Sequence, residues 1–230
     1  MDILDKYHLK DWWLQALTPS QREQIANDYQ PMGLISNPPF LYQPLSNNGH
    51  SGTGICGLIH VLACVAKGQA KDILLTKTES VTIAEYSNPK TNLIDVHLVL
   101  GSLIKHHYAL REKLDHYERA KELCLMQIAI ADKTANKFRH PEKPKELKRL
   151  HQLTGMKHPY YDEPQMLPSH TGYKQLAIIL EKEGDIEGAL KISKQALKQG
   201  WTDNYEKRID KLNQKLAKKK IAKARTTPNN

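Results

Sequence analysis

Apolar residues recur at intervals of three and four along most of the chain, the spacing that places them on one face of an α-helix. In the clearest example, Tyr173, Leu176, Ala177 and Leu180 form one stripe. We therefore predict an all-α protein. The pattern predicts helices over residues 3–17, 19–29, 54–67, 69–86, 92–114, 115–139, 145–153, 173–183 and 186–199, and from residue 204 onward. Five β-branched residues between positions 76 and 83 leave a strand there as an alternative.

Local signals predict where several of these helices begin and end. The Thr-Pro-Ser-Gln run at residues 18–21 combines an N-cap, a proline at the first helical position and a capping-box glutamine. Gly184 and Gly200 are placed to end helices in the left-handed conformation. Asp185 is placed to cap the helix that follows the first of these glycines.

Two segments are too rich in proline to be helical throughout. Residues 30–53 contain four prolines, and residues 140–168 contain five. We predict two long irregular connections, the second interrupted by the short helix at 145–153. Long connections in a compact domain are unusual, and the apolar residues of the first one predict that it packs against the body of the protein. They are Leu34, Ile35, Phe40, Leu41 and Tyr42.

The segment at residues 172–201 reads GYKQLAIILEKEGDIEGALKISKQALKQGW. It has a large residue, a Leu–Ala pair and a second large residue in its first helix, then a Gly–Asp turn, and small residues in its second helix. This order resembles the tetratricopeptide repeat, in which small residues let two helices approach closely. Trp201 stands where the repeat usually has a proline, and Ser193 stands where it usually has an aromatic residue. We therefore expect this hairpin to be the last repeat of a short array.

A degenerate earlier copy is indicated by Leu100, Gly101 and Ile104, followed by Tyr117 and Ala120. The resemblance implies an all-α fold of helical hairpins stacked in a short right-handed superhelix, with the two proline-rich connections. The predicted divisions are N-terminal helices with the first connection, the repeat region with its irregular insertion, a basic capping helix and a short disordered tail. These correspond to residues 1–53, 54–202 (insertion 140–168), 203–225 and 226–230.

Repeats of this family are scaffolds that bind proteins or peptides on a concave surface lined by the first helix of each pair. The resemblance therefore implies a partner-binding surface on two of the predicted helices, although for any single residue we favour an ordinary solvated helix position. The residues concerned are Lys174, Gln175, Ile178, Glu181, Lys182, Ser102, Lys105 and His106.

The distribution of charge suggests a second function, the binding of nucleic acid. The chain has a net charge of +9, and residues 205–225 contribute +7 of it through nine basic and two acidic side chains. This tail could bind the nucleic-acid backbone through Lys211, Lys215, Lys218, Lys219 and Lys220. No aromatic residue follows Tyr205, so such binding would be indifferent to base sequence. The other interpretation is a polar cap on a repeat array, with the tail outside the partner surface.

Catalytic motifs are weak. The glycine-rich segment at residues 49–54 precedes a helix N-terminus, which favours anions, but it lacks the lysine of a P-loop and the glycine spacing of a nucleophile elbow. We interpret it as a turn, and a hydrolase that uses this loop or the histidines at 151–170 remains a third alternative.

Histidines and cysteines indicate no metal or redox centre. None of the 11 histidines forms a His-x-x-x-His pair; His106 and His107 are adjacent and should face different sides, and His116 is expected to be isolated. His170 is expected to help begin the helix that follows it. The three cysteines, which include Cys64, are expected to be small buried residues.

Taken as a whole, the chain resembles small bacterial proteins that end in such a repeat. We expect a non-catalytic adaptor that binds a protein or peptide, with no cofactor. The N-terminus carries acidic residues and lacks the apolar core of a signal peptide, and no apolar stretch is long enough to cross a bilayer. A soluble, cytoplasmic protein without membrane contact is therefore expected.

Overall fold

A computed structural model describes residues 1–31, 36–45, 54–140, 145–156 and 165–226, with side chains for all of these except 145–148 and 220–226. Within these ranges every regular element is helical and there is no strand, which confirms the predicted all-α class. The same ranges contain no helix that combines the length and apolarity needed to cross a bilayer. The chain divides into two compact units, Met1–Val99 and Leu100–Asn230.

The first unit is built on a core of long apolar side chains around the fully buried Trp13. Leu41 of the first connection joins this core, as predicted, while Leu34 and Ile35 lie outside the described residues. A short 3₁₀ turn at Phe40–Tyr42 places that leucine. The helices are α1 Ile3–Lys6, α2 Lys10–Ala16, α3 Pro19–Asp28, α4 Ile55–Val65 and α5 Gly68–Tyr86.

The single helix predicted over residues 3–17 is wrong, because the chain breaks at His8, which has a left-handed φ of 53°. In a continuous helix, Leu4 and Leu9 would point about 140° apart. The break lets both side chains enter the core, where each is at most 3% exposed. The Leu9 N–H donates to the Leu4 carbonyl at 2.8 Å and closes the turn.

The predicted N-terminal cap of α3 is confirmed. The Gln21 N–H donates to the Thr18 hydroxyl at 3.3 Å, and the Thr18 N–H donates to the Gln21 side chain at 2.9 Å. Pro19 occupies the first turn. The helices predicted over 54–67 and 69–86 are both present, but α4 ends at Val65 and Gly68 begins α5 with a φ of 53°.

Residues 76–83 are helical, so the strand alternative is wrong. The threonines that raised it are compatible with a buried helix face because their hydroxyls donate to carbonyls of the preceding turn. Thr78 donates to the Leu74 carbonyl at 2.7 Å, and Thr82 donates to the Thr78 carbonyl at 2.6 Å. Both threonines are fully buried.

The second unit contains the predicted hairpin and the basic tail, and its boundary with the first unit falls within α6. Besides the part of α6 (Leu93–Ala109) that follows the boundary, its helices are α7 Leu114–Ala129, α8 Ala131–Arg139, α9 Lys145–Thr154, α10 Thr171–Glu183, α11 Ile186–Gln199 and α12 Tyr205–Thr226. Helix α7 packs on α10, α10 on α11, and α11 on α12. Helix α6 ends five residues before the predicted position.

The helix predicted over 115–139 is two helices that meet at Ile130. The change of direction brings Ala131 and Ala135 against Tyr173 and Trp201. The helix break at Ile130 is therefore caused by tertiary packing, since no glycine or proline lies nearby in the sequence.

The caps predicted for the α10–α11 hairpin are confirmed. The His170 ring accepts the Tyr173 N–H at 3.2 Å and begins α10, while Gly184 ends it with a φ of 86°. Asp185 accepts the Gly188 N–H at 2.8 Å and begins α11, and Gly200 ends that helix with a φ of 80°.

Helices approach one another closely around Gly172. Its N–H donates to the Gln127 side chain at 2.6 Å, and both residues are buried. A Cβ on Gly172 would lie 2.8 Å from the Gln127 oxygen and 3.0 Å from the Cys124 carbonyl oxygen. A Cβ on Gly101 of α6 would lie 3.1 Å from the Gln127 nitrogen and from the Thr171 hydroxyl. Glycine at these two positions therefore allows α6, α7 and α10 to meet.

Candidate functional site

Helix α10 carries most of the residues predicted for partner binding. Lys174, Ile178 and Lys182 follow one another at intervals of four, so they form one stripe along the helix; we call them the α10 stripe. The two lysines are exposed and the isoleucine is half-buried. Gln175 and Glu181 lie beside the stripe and are half-buried. The stripe therefore presents an apolar residue between two cations.

The residues predicted on α6 lie in the same unit. Lys105 is exposed, whereas Ser102 and His106 are half-buried. Contact between α6 and the α10 stripe is made at one end, where the Lys182 ammonium lies 5.5 Å from the centre of the Tyr108 ring. This is a cation–π distance, and it draws the last turn of α10 toward α6.

Glu181 is the centre of a charge cluster that joins α10 to α12. Lys215 donates to its carboxylate at 2.6 Å and Arg208 at 3.2 Å, while Lys211 lies 3.6 Å away. The hydrogen bond from Lys215, with the nearby positive charges, holds the pKa of the Glu181 carboxyl below its ordinary value. These contacts place the first turns of the tail beside α10.

The other end of the stripe also meets α12. The Lys174 ammonium lies 3.1 Å from the carboxylate of Asp203, the residue two positions before the helix begins. Burial raises the pKa of Asp203, but hydrogen bonds from the Asn204 N–H and from Lys174 outweigh it, so the pKa is lowered. The carboxylate therefore remains ionised and anchors the lysine.

A cavity of about 270 Å³ opens between these residues. Sequence reasoning treated Lys207 and Arg208 only as part of a charge run, and it did not associate them with Lys174. The cavity is lined by Lys174, Asp203, Asn204, Tyr205, Lys207, Arg208 and Lys211.

The five lysines of the nucleic-acid alternative fall into different environments. Lys211 and Lys215 face Glu181, so part of their charge is compensated. Lys218 and Lys219 are exposed, and the side chain of Lys220 lies outside the described residues. The tail is therefore not a uniform basic face.

The glycine-rich segment at 49–54 lies outside the described residues except for Gly54. The Gly54 N–H donates to the Asp95 carboxylate in a short hydrogen bond. An anion was predicted to suit this helix N-terminus, and the chain supplies one itself.

The histidines are distributed differently from the prediction. His116 is not isolated, because its Nδ1 lies 3.0 Å from Nδ1 of His107, so one ring donates and the other accepts. The His106 ring centre lies 5.3 Å from that of His107 and 6.3 Å from that of His116. Among the described residues, no three His, Cys, Asp or Glu side chains are grouped so as to hold a metal ion. His158 lies outside them.

Two of the three cysteines are buried, as predicted, and Cys64 is exposed. Burial raises the pKa of Cys56 to about 11 and that of Cys124 to about 12, which keeps both thiols protonated. The prediction failed at Cys64 because its side of α4 faces outward, where its sulfur lies 3.8 Å from the His60 ring.

No protein-family model, no curated protein and no solved structure matches the chain. What the protein does is therefore inferred from its own residues and their arrangement.

Proposed function

We propose that the protein is a non-catalytic adaptor of the tetratricopeptide type that holds an acidic protein or peptide segment along the α10 stripe. The observation that carries this proposal is the position of α10. It packs on α7 and α11 and is linked by Glu181 to α12, while its stripe faces outward. A helix supported by its neighbours presents its exposed side chains in a fixed arrangement, which lowers the entropic cost of binding.

The chemistry of the stripe suits an acidic segment with one apolar side chain. Ile178 offers half-buried apolar surface between the two lysines of the stripe. Lys182 supplies positive charge on one side, and Lys174, which is paired with Asp203, lies on the other. An apolar centre with a charged rim is the usual anatomy of a protein interface. Glu181, the carboxylate beside the stripe, already accepts from α12 and would repel an acidic partner little.

A non-catalytic role is supported by two buried groups whose pKa departs strongly from its ordinary value. Burial lowers the pKa of His97 to about 4 and raises that of Tyr173 to about 12. Both groups stay neutral near pH 7, and both are almost fully buried. These shifts move the groups away from the range in which a general acid or base works at neutral pH.

The test compares two pairs of lysine substitutions on neighbouring helices. Lys174→Glu with Lys182→Glu reverses the charge of the stripe, and Lys191→Glu with Lys194→Glu makes the same change on exposed positions of α11. Quantitative affinity capture from the source cells should enrich a protein with the wild type and the α11 variant and lose it with the α10 variant. Equal capture by all three chains, or equal loss from both variants, would contradict the proposal.

A second candidate function, nucleic-acid binding by the tail, is favoured by the exposure of Lys218 and Lys219. Gel shifts of an oligonucleotide at two salt concentrations test it. If the tail binds phosphates, affinity should fall steeply with salt, and Lys218→Gln with Lys219→Gln should reduce the salt dependence. An unchanged salt dependence in that variant would remove this candidate.

A further inference from the structure

The cavity between α10 and the start of α12 has more positive charge than its own carboxylates compensate. Four cations line it, Lys174, Lys207, Arg208 and Lys211, against one carboxylate, Asp203. Glu181 and Lys215 lie next to it and cancel each other in the count. The net charge around a space of about 270 Å³ is therefore +3.

The carboxylates of Asp203 and Glu181, which contact the cations of the cavity, are each already held by a cation. Asp203 is paired with Lys174 at 3.1 Å, and Glu181 accepts the hydrogen bonds of Lys215 and Arg208. Lys211 lies 3.6 Å from Glu181, too far for a hydrogen bond. Within the part of the chain that the structure describes, Lys207 has no carboxylate at ion-pair distance. In the lining of the cavity, the Lys207 ammonium is thus available to an incoming anion, and the charge of Lys211 is only partly compensated by Glu181.

We propose that this cavity binds a phosphate monoester group. Such a group carries a charge of about −1.5 to −2 near pH 7 and presents three acceptor oxygens. Lys207 and Lys211 supply ammonium donors, and Arg208 has five N–H donors in a planar fork, of which its Nη1 contacts Glu181. The half-buried guanidinium is fixed by that contact, so it is oriented before the anion arrives.

The shape and surroundings favour a terminal phosphate over a nucleic-acid strand. A space of this size is slightly smaller than the ~300 Å³ at which pockets for drug-sized ligands begin, so it suits one anionic group. Tyr205, the aromatic residue of the lining, is 1% exposed and fills the core, so it offers no face for stacking a base. A phosphodiester also carries one charge where a monoester carries nearly two.

The same group could belong to a small molecule or to a phosphorylated protein segment, and the probes separate these sources. Calorimetric titration of the full chain uses inorganic phosphate, phosphoserine, a short phosphoserine peptide and a single-stranded oligonucleotide. The main variant is Lys207→Gln with Lys211→Gln, and the matched control is Lys218→Gln with Lys219→Gln, two exposed lysines of the same helix outside the cavity. The inference goes beyond the proposed adaptor function, since it requires no protein partner and can fail or succeed without it.

The wild type and the control should bind phosphoserine with one site, and the cavity variant should bind it at least about tenfold more weakly. Affinity should fall between pH 7.5 and pH 5, because the second pKa of a phosphate monoester is about 6. Tighter binding of the phosphopeptide than of phosphoserine would assign the site to a protein segment, and equal binding to a small molecule. No saturable binding of phosphoserine, or equal weakening of that binding in both variants, would overturn the inference.

Discussion

The carboxylate of Glu181 shows how one residue can hold a helix in place. Its side chain is 14% exposed and accepts from two cations of α12 across the packed surface. In such a cluster the charges are only partly screened by water, so the carboxylate contributes more than an isolated surface pair does.

We predict that replacing Glu181 lowers the stability of the protein in a pH-dependent way. Because the folded-state pKa lies below the ordinary value of 4.5, the stabilisation is present above that value and disappears as the pH falls through the folded pKa. Glu181→Gln should lower the free energy of unfolding by about 1 kcal/mol at pH 7. Urea unfolding at pH 7 and at pH values well below 4.5 should show the two chains converging in acid. The exposed control Glu23→Gln, beyond the first turn of α3, should change little at either pH, and a constant difference for Glu181→Gln would contradict this assignment.

The close packing around Gly172 predicts that a larger residue there destabilises the protein. Alanine usually stabilises a helical position relative to glycine by up to about 1 kcal/mol. Here the added Cβ would meet the Gln127 oxygen and a backbone carbonyl oxygen, which cannot both move away. Gly172→Ala should therefore destabilise the protein by about 2 kcal/mol. Gly101→Ala meets only side-chain atoms and should cost less; a melting temperature that rises in Gly172→Ala would show that the helices are not in close contact.

At the scale of the elements, the helix ends that are fixed by a cap could be predicted from the sequence. The breaks between helices that are fixed by tertiary packing could not. The ends at Thr18, Gly184 and Gly200 depend on a side chain or a φ within a few residues, so the local sequence determines them. The breaks at His8 and Ile130 carry no local signal. Each break lets the residues before and after it pack into one core, and the other residues of that core come from distant parts of the chain.

The cap between α10 and α11 gives the prediction at this scale. Asp185→Ala removes the acceptor of the Gly188 N–H and should lower the free energy of unfolding by about 1 kcal/mol. Lys194→Ala, an exposed position of the same helix, should stay within about 0.5 kcal/mol of the wild type. Chemical denaturation measures both, and equal stabilities for the two variants would mean that the hairpin does not depend on this cap.

At the scale of the second unit, the candidate site combines what the sequence could and could not indicate. The α10 stripe could be predicted from the helical period together with the resemblance to the tetratricopeptide repeat. The cavity could not be predicted in this way, because Lys174 and Lys207 belong to different helices. Their proximity depends on the packing of α12 on α11 and on its contacts with α10. The charge run identified the lysines of the tail but not which of them Glu181 would hold.

The central proposal is that a partner lies along the α10 stripe, and site-specific photocrosslinking in cells tests it most directly. A benzophenone amino acid at Ile178 would lie within the proposed interface, and the same residue at Lys194 would lie outside it on α11. We predict a discrete crosslinked species from position 178 that is absent from position 194 and is lost when Lys174→Glu and Lys182→Glu are added. No crosslink at position 178, or the same products from both positions, would contradict the proposed function.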